Sequence, residues 1–527
     1  MKVEFEKSYN WTQLEDQWYA RWLKKDYFTG DENSSNESFS IVIPPPNITG
    51  KLTMGHVLNN TIQDVLIRKA RMEGKNTCWI PGIDHASIAT ETKVVKMLEE
   101  MGIEKEQLSR EEFLDHAWKW KEKYGGIIID QLKKLGCSCD WKRQKFTMDD
   151  DYSRSVIKAF VHLYNKGFIY KGHRLVNWCP SSQSAISDEE VIHKEISGKL
   201  WYFKYPIEKD KSFLVVATTR PETLLGDTAI AVNPEDERYA HLVGSYANIP
   251  IVNRKVPIIA DEHVDPKFGT GCVKVTPAHD PNDFEIGKRH GLEFINIMND
   301  DASLNENVPQ DFQGLSRERA RKEVIKRMNL ENLLEKTEDH INNIGFSERG
   351  NVPIEFYMSE QWYMKMNKLV KPALDAVNDG KIKFYPNHWV KTYNHWMDNI
   401  QDWCISRQLY WGHQIPVWYK KDADRSNQDN WFVSTTPPTD LENWEQDNDV
   451  LDTWFSSWLW PFAVHGWPDV KSTKYFPTNA LVTGPDIIFF WVARMIMSGY
   501  EFMGDLPFRD VYFTSILRDD KGRKLSK

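Results

Sequence analysis

Between residues 39 and 66 the spacing of apolar positions changes period, and the change predicts a strand, a stiff turn and a helix. Phe39, Ile41 and Ile43 alternate with Ser40 and Val42 before Pro44-Pro45-Pro46. A short apolar run closed by prolines suits a buried strand, and the prolines fix φ across the turn. From about Met54 onward, Leu58, Ile62, Val65 and Leu66 recur at helical spacing. Gly50 and Gly55 admit close approach of a ligand to the backbone. A helix start that follows a strand is a ready anion site, because its free N–H groups and dipole favour phosphate. His56 stands in that first turn, where an imidazole can donate to phosphate. The same residues also fit a plain buried turn capped by a histidine.

The pattern recurs at Asn76-Thr77-Cys78-Trp79-Ile80, a second apolar strand that ends in Pro81-Gly82-Ile83-Asp84. A carboxylate at the carboxyl end of a parallel strand lies where open α/β sheets bind ligands, although Asp84 equally suits a cap on the helix beginning near Ala86. Upstream, a helix is predicted around Trp11–Trp22, followed by a polar loop over 30–38. Residues 86–175 read as mainly helical and charged, and the basic cluster in 140–145 reads as a solvated face. At about residue 195 short β-like runs appear: Leu200–Tyr205, Phe213–Thr218, Ala229–Val232, Pro250–Val252, Pro257–Ala260 and Cys272–Thr276. A helical stretch near Leu315–Leu334 follows, and the pattern of the opening stretch returns by Val352–Glu355. The expectation is one domain inserted into another, with boundaries 1–194, 195–345 and 346–527, since insertions succeed at loops whose ends lie close together. Residues 427–449 are polar and predict a loop.

Composition narrows the class. A chain of 527 residues implies two or more domains, and a net charge of −9 supplies no global basic field, so a nucleic-acid partner needs local patches. The six cysteines form no CxxC pair and no run of 18 apolar residues occurs, which predicts a reduced cytoplasmic protein with no membrane span.

Thr53-Met54-Gly55-His56 and Lys524-Leu525-Ser526-Lys527 resemble the HIGH and KMSKS motifs of class I aminoacyl-tRNA synthetases, in the family's order. Pro44–Gly50, Trp79–His85, Val176–Pro180, Asp452–Ser457 and Ile487–Arg494 resemble the valyl branch of that family, where Pro-Pro-Pro-Asn precedes the first motif; isoleucyl-type specificity is the nearest alternative. The resemblance covers residues 9–527. It implies an α/β fold: a Rossmann-type, doubly wound parallel sheet as catalytic core, interrupted by an inserted β-rich editing domain. It implies activation of valine with ATP and Mg2+, transfer to the acceptor end of tRNA(Val), and hydrolytic editing of mischarged threonyl-tRNA.

By the same resemblance His56, Lys524 and Lys527 are catalytic. Thr53, Gly55, Gly484 and Asp486 join them in binding ATP, although the family usually has another residue at Pro485. Asp84 would meet the valine ammonium, and Pro44, Pro45, Asn47, Trp454, Ile487 and Trp491 would complete the amino-acid site; the two tryptophans fit core packing as well. Thr219, Arg220, Lys274, Thr276, Asp280 and Asp283 would form the editing site, with Asp280 and Asp283 spaced to share one face of a helix start. Relatives carry cysteine pairs that hold zinc, whereas here only Cys179 stands in the first such segment, so no zinc is expected. The family's anticodon-binding bundle does not follow Lys527, so the chain reads as a fragment, expected to be monomeric. A synthetase-derived tRNA-binding or deacylase fragment without activation is the rival of a different class.

Overall fold

The computed structural model describes residues 11–208, 212–470, 473–523 and 525. Two compact units arise from one chain: Met1–Tyr170 with Trp362–Lys527, and Lys171–Gln361. The unit boundary lies outside the change of pattern at 195 and 345, because the strands Ile169–Cys179 and Glu355–Met364 run through it.

The first unit is built on five parallel strands, β1 (Ser38–Val42), β2 (Asn76–Ile80), β3 (Lys383–Tyr385), β4 (Thr478–Thr483) and β5 (Phe508–Phe513), in the order β3-β5-β4-β1-β2. Ser40, Ile41, Val42 and Ile43 are all buried, since a parallel strand is covered on both faces. Around the sheet lie α1 (Trp11–Lys24), α2 (Met54–Met72), α3 (Ser87–Glu100), α4 (Arg110–Lys134) and α5 (Asp150–Asn165). Thr53 caps α2, and the N–H of Glu112 donates to the Ser109 hydroxyl at the start of α4, at 3.2 Å. The abundance of tryptophan has a packing cause: Trp79, Trp362, Trp411, Trp458, Trp460 and Trp491 are fully buried in this unit. Residues 427–449 are not a loop throughout. Trp431–Val433 and Trp444–Gln446 flank Val417–Lys420 in an antiparallel sheet, and their tryptophans supply the packing that the polar composition hid.

The order of the strands makes a switch point. From β1 the chain moves outward to β2, whereas β4 lies on the opposite side of β1 and leads to β5, so a crevice opens at the carboxyl ends of β1 and β4. The two are joined at Ile41 and Ala480. Side chains secure the seam: the Ser40 N–H donates to Asn479 Oδ1 at 2.8 Å, and the Ser40 hydroxyl to the Tyr475 carbonyl at 2.8 Å. The Trp460 indole donates to the Ile43 carbonyl at 2.9 Å. Its ring fills the space a side chain on Gly82 would need: a Cβ there would lie 2.3 Å from Trp460 and 2.5 Å from the Lys145 carbonyl.

The second unit contains two antiparallel-rich sheets. Val191–Pro206 pairs with Leu334–Ser347 and with Phe213–Thr218. The other runs Tyr246–Ile249, Arg254–Ala260, Ala229–Val232, Cys272–Val275. The segment Pro250–Val252 is a turn between two of these strands rather than a strand, with Ile251 and Asn253 at φ 68° and 50°. Helices α6 (Pro281–His290) and α7 (Arg317–Leu330) complete the unit.

Replacing Gly82 with Ala should therefore lower the thermal midpoint of the protein, at the cost of roughly 1–3 kcal/mol usual for overpacking a core. An unchanged midpoint would show that the Trp460 contact yields easily.

Candidate functional site

The first group of residues gathers at the crevice of the parallel sheet. The polyproline turn keeps company with the end of β2: the Asp84 N–H donates to the Pro46 carbonyl at 3.0 Å, and the Ile48 N–H to the Asp84 carbonyl at 3.3 Å. Asn47 and Asp84 thereby form an isolated parallel bridge. Pro44, Pro45 and Asn47 remain half-buried beside it. The first turns of α2 reach β4 through the Asn59 amide, which donates to the Val482 carbonyl at 3.1 Å.

His56 closes a capping box with Thr53 at the start of α2, as the plain capped-turn reading expects. The Thr53 N–H donates to His56 Nδ1 at 3.2 Å, and the Thr53 hydroxyl lies 2.9 Å from the same nitrogen. With Nδ1 accepting, the neutral ring carries its proton on Nε2. The cap thus fixes the tautomer that can donate to phosphate. Gly55 has only the Thr53 hydroxyl near its missing Cβ. At the end of β4, Gly484 is followed by the short turn Pro485–Ile487. The Asp486 carboxylate occupies the space above Gly484, where a Cβ would lie 2.3 Å from Oδ1. Pro485 sits at the first position of that turn, a place proline suits, so the departure from the family leaves the local backbone well formed.

Asp84 is 6% exposed. The Thr147 hydroxyl donates to its Oδ1 at 2.9 Å and the Thr453 hydroxyl to its Oδ2 at 3.0 Å. Its ion-pair contact is His85 Nδ1 at 3.3 Å. Because Thr147 spends its one proton on Asp84, its other contact, His85 Nδ1 at 2.8 Å, is the donor. The Ser87 hydroxyl faces His85 Nε2 at 3.0 Å. No lysine or arginine among the described residues pairs with Asp84. A buried carboxylate so left needs a cation from elsewhere. Thr147 escapes a reading of the sequence, since nothing in its local pattern marks it, whereas His85 and Thr453 lie inside the stretches Trp79–His85 and Asp452–Ser457 but were given no role of their own.

The remaining residues of this group divide. Trp454 is half-buried and stacks on Phe490 with centroids 5.2 Å apart. Ile487 packs partly buried against the core. Trp491 is fully buried and donates to the Ser457 carbonyl at 2.9 Å, the state expected of core packing. Lys524 and Lys527 lie outside the described residues.

The second group lies within the second unit. The Lys274 ammonium donates to the Thr223 hydroxyl at 2.8 Å, the Thr276 hydroxyl at 2.6 Å and Asp227 Oδ1 at 3.1 Å. Thr276 in turn donates to Asp227 Oδ1 at 2.6 Å, and Tyr205 to Asp227 Oδ2 at 2.7 Å. Burial raises the Asp227 carboxyl above its usual value, against the pull of Lys274. Asp280 caps α6, accepting from the N–H groups of Asn282 at 2.8 Å and Asp283 at 3.2 Å. Asp283 accepts the Thr276 N–H on Oδ2 at 2.8 Å. Its other oxygen has no hydrogen-bond partner among the described residues. Burial first, then repulsion from Asp280, pushes its carboxyl up to about 7.

Arg220 donates to the His279 carbonyl at 3.0 Å and pairs with Glu355, which also receives Arg317 at 2.6 Å. Glu222 holds Arg321 through two bonds of 2.7 Å. Thr219 is half-buried at the end of the strand Phe213–Thr218. Burial, with the charges of Arg220 and Lys274, lowers His279 to about 3, so its ring is neutral. Sequence reasoning missed Asp227, Thr223, Tyr205 and the Glu222 and Glu355 pairs. Thr223, Glu222 and Asp227 lie only a few residues past Thr219 and Arg220, and that proximity was the available signal. Among the described residues no group of three or more His, Cys, Asp or Glu could hold a metal, and none of the six cysteines is in a disulfide.

The family described as tRNA synthetases class I (I, L, M and V) matches residues 17–527. The valine–tRNA ligase of Christiangramia forsetii is 54% identical over 98% of the chain and 61% of its own length. That of Geobacillus stearothermophilus is 50% identical over 100% of the chain and 60% of its own length. The chain thus spans about three fifths of these curated relatives. Among solved structures, the agnB2 LeuRS of Agrobacterium radiobacter K84, in a ternary complex with tRNA and LeuAMS, shares the fold at a TM-score of 0.53 and 18% identity. The match covers 99% of the chain and 69% of that protein. No helix among the described residues is long and apolar enough to cross a membrane.

Asp283 carries a stability prediction. Between about pH 4 and about 7 the folded carboxyl keeps a proton that the unfolded chain has released. Folding therefore takes up a proton there, and stability falls as pH rises through that window. Asp283→Asn, whose oxygen can still accept the Thr276 N–H, should be more stable than wild type at pH 8 by roughly 1–3 kcal/mol and equal to it near pH 4. Thermal melts across pH 4–8 measure the difference, and parallel curves would contradict the assignment.

Proposed function

Since the chain belongs to the class I tRNA synthetases (I, L, M and V), we propose that it is a valine–tRNA ligase, activating valine with ATP and charging the acceptor end of tRNA(Val), with hydrolytic editing in its second unit. The observation that supports it most directly is the buried Asp84, held by two hydroxyls and without a lysine or arginine partner among the described residues. An amino-acid ammonium supplies the missing charge, and the half-buried Pro44, Pro45, Asn47, Trp454 and Ile487 suit a small aliphatic side chain nearby. Trp491 supports that wall from within the core.

Adenylation is an in-line displacement at the α-phosphorus of ATP by the valine carboxylate, releasing pyrophosphate. Catalysis is then positioning and stabilisation of negative charge. His56, with its proton on Nε2, donates to phosphate at the start of α2, assisted by the helix N–H groups. Thr53 holds that tautomer, and Gly55 leaves room for the nucleotide, while Gly484 makes room for the Asp486 carboxylate. Asp486 accepts from the ribose hydroxyls. Lys524 and Lys527 take the charge of the leaving pyrophosphate. Mg2+ arrives with the ATP phosphates, the usual mode for this ion.

A small apolar pocket excludes isoleucine by overpacking but cannot reject threonine, a limit for which valyl enzymes are themselves the usual illustration. The second unit answers that limit. Asp283 meets the amine of a misacylated ester through its unpartnered oxygen, Asp280 adds negative charge nearby, and Thr219 and Arg220 border the site. A polar site distinguishes threonine from valine because a hydroxyl makes bonds that a methyl leaves unmade. The protein acts in the cytoplasm as a monomer.

Two measurements test this. ATP–pyrophosphate exchange should depend on valine above isoleucine and threonine, and Asp84→Asn should weaken valine by roughly 1.5–3 kcal/mol, the scale of a lost charge-assisted bond, while sparing ATP. A loss of ATP affinity with valine unchanged would refute the role of Asp84. Release of labelled threonine from mischarged tRNA should exceed release of valine, and Asp283→Ala should abolish that preference while leaving exchange intact. Equal release by both forms would remove Asp283 from the site.

A further inference from the structure

Lys274 has three N–H donors and all three are used inside the fold, on Thr223, Thr276 and Asp227. Asp227 is fully buried and spends both oxygens on this group: Oδ1 takes Lys274 and Thr276, and Oδ2 takes Tyr205. One residue separates Lys274 from a second carboxylate. Thr276 receives Lys274 on its hydroxyl and gives its N–H to Asp283. Two buried acids thus flank one ammonium, and the ammonium is bonded to Asp227. Asp283 keeps one oxygen with no protein partner among the described residues.

We propose that Asp227 is a positioning residue of the hydrolytic site: it holds the Lys274 ammonium inward and so keeps it from occupying Asp283 in place of the substrate amine. The inference rests on the editing reading above for its substrate, but its geometry does not. Lys274 is a built-in competitor for the amine subsite, chemically alike to the ligand it would displace. The cage of Tyr205, Thr223 and Asp227 restrains it. The charged groups facing Asp283 are Asp280 from the cap of α6, Lys274 from the strand Cys272–Val275, and Asp227 from the turn before Ala229–Val232. In the native arrangement burial and then Asp280 hold the Asp283 proton on, Lys274 opposes them from its place on Asp227, and Asp227 itself adds a smaller push in the same sense as Asp280.

The test reads the protonation window of Asp283 through stability, without reference to activity. Thermal midpoints are measured across pH 4–8 for pairs with and without the D283N substitution, in the wild-type, D227N and D227N/K274M backgrounds. In wild type the pair separates progressively up to about pH 7. In D227N the lysine turns to Asp283, and the upper edge of the window falls by about one pH unit or more. In D227N/K274M no lysine remains, and the edge returns to within about half a unit of wild type. An edge in D227N that matches wild type overturns the proposal. Should D227N fail to fold, the double variant decides alone. A rise of its edge by about one unit or more would mean that Lys274 already neutralises Asp283 in the native protein, and would overturn it too. A merely structural Asp227 would lower every midpoint without moving the edge. Threonine release is measured in parallel: D227N should raise KM for the mischarged ester more than it lowers kcat. If wild type releases no threonine while the windows behave as stated, the editing reading fails and the restraint of Lys274 stands.

Discussion

The first unit depends on a narrow seam. Its sheet is assembled from two stretches of chain separated by the whole second unit, and β1 and β4 meet through one paired position, Ile41 and Ala480. Closure therefore rests on side chains as much as on the ladder. Ser40, Asn479 and Tyr475 tie the backbone, Asn59 ties α2 to β4, and Trp460 lies across Gly82 to reach Ile43. The same seam is the switch point of the sheet. His56 and Asp486 flank it, so any loosening of the seam would displace one relative to the other. The excursion between Tyr170 and Trp362 is compatible with this, since Tyr170 and Tyr363 stack with centroids 5.7 Å apart within the first unit. The chain leaves and returns at one place, and an insertion there need not disturb the sheet.

Buried charge is handled in two ways. Some acids are closed by basic side chains: Glu222 by Arg321, Glu355 by Arg220 and Arg317, Asp452 by Arg407 at 3.1 Å. Such pairs are costly to break, because removing one partner strands an uncompensated buried charge. Asp84 and Asp283 are different. Asp84 has two hydroxyls and the His85 imidazole around it, and Asp283 has a backbone N–H and one open oxygen. Both acids, each without a lysine or arginine partner among the described residues, are the ones proposed to meet an amine. Asp227 belongs to the first kind, and by satisfying Lys274 it leaves Asp283 in the second.

Two residues that look alike in the sequence show how burial divides roles. Trp454 and Trp491 both sit in tryptophan-rich apolar runs, yet Trp454 is half-buried against Phe490 while Trp491 is enclosed and bonded to Ser457. Asp280 and Asp283 divide similarly. Their spacing suggests a shared face, but Asp280 is spent on capping α6 while Asp283 turns its open oxygen elsewhere.

The sequence by itself determined the period changes that make β1, β2 and α2, the strand-rich character of the inserted region, and the motifs that identify the family. These are local properties, written in consecutive residues, and the backbone obeys them wherever packing agrees. Local pattern misreads 250–252 and 427–449 because a turn with left-handed residues and strands paired through tryptophan are decided by neighbours rather than by polarity. Tertiary structure alone decided which acids stay uncompensated. Thr147 and Thr453 reach Asp84 from 63 and 369 positions away, and Lys274 reaches Asp227 across 47. The charge state of a buried group is set by what lies within a few ångströms of it, and those neighbours come from chain positions that no local pattern connects.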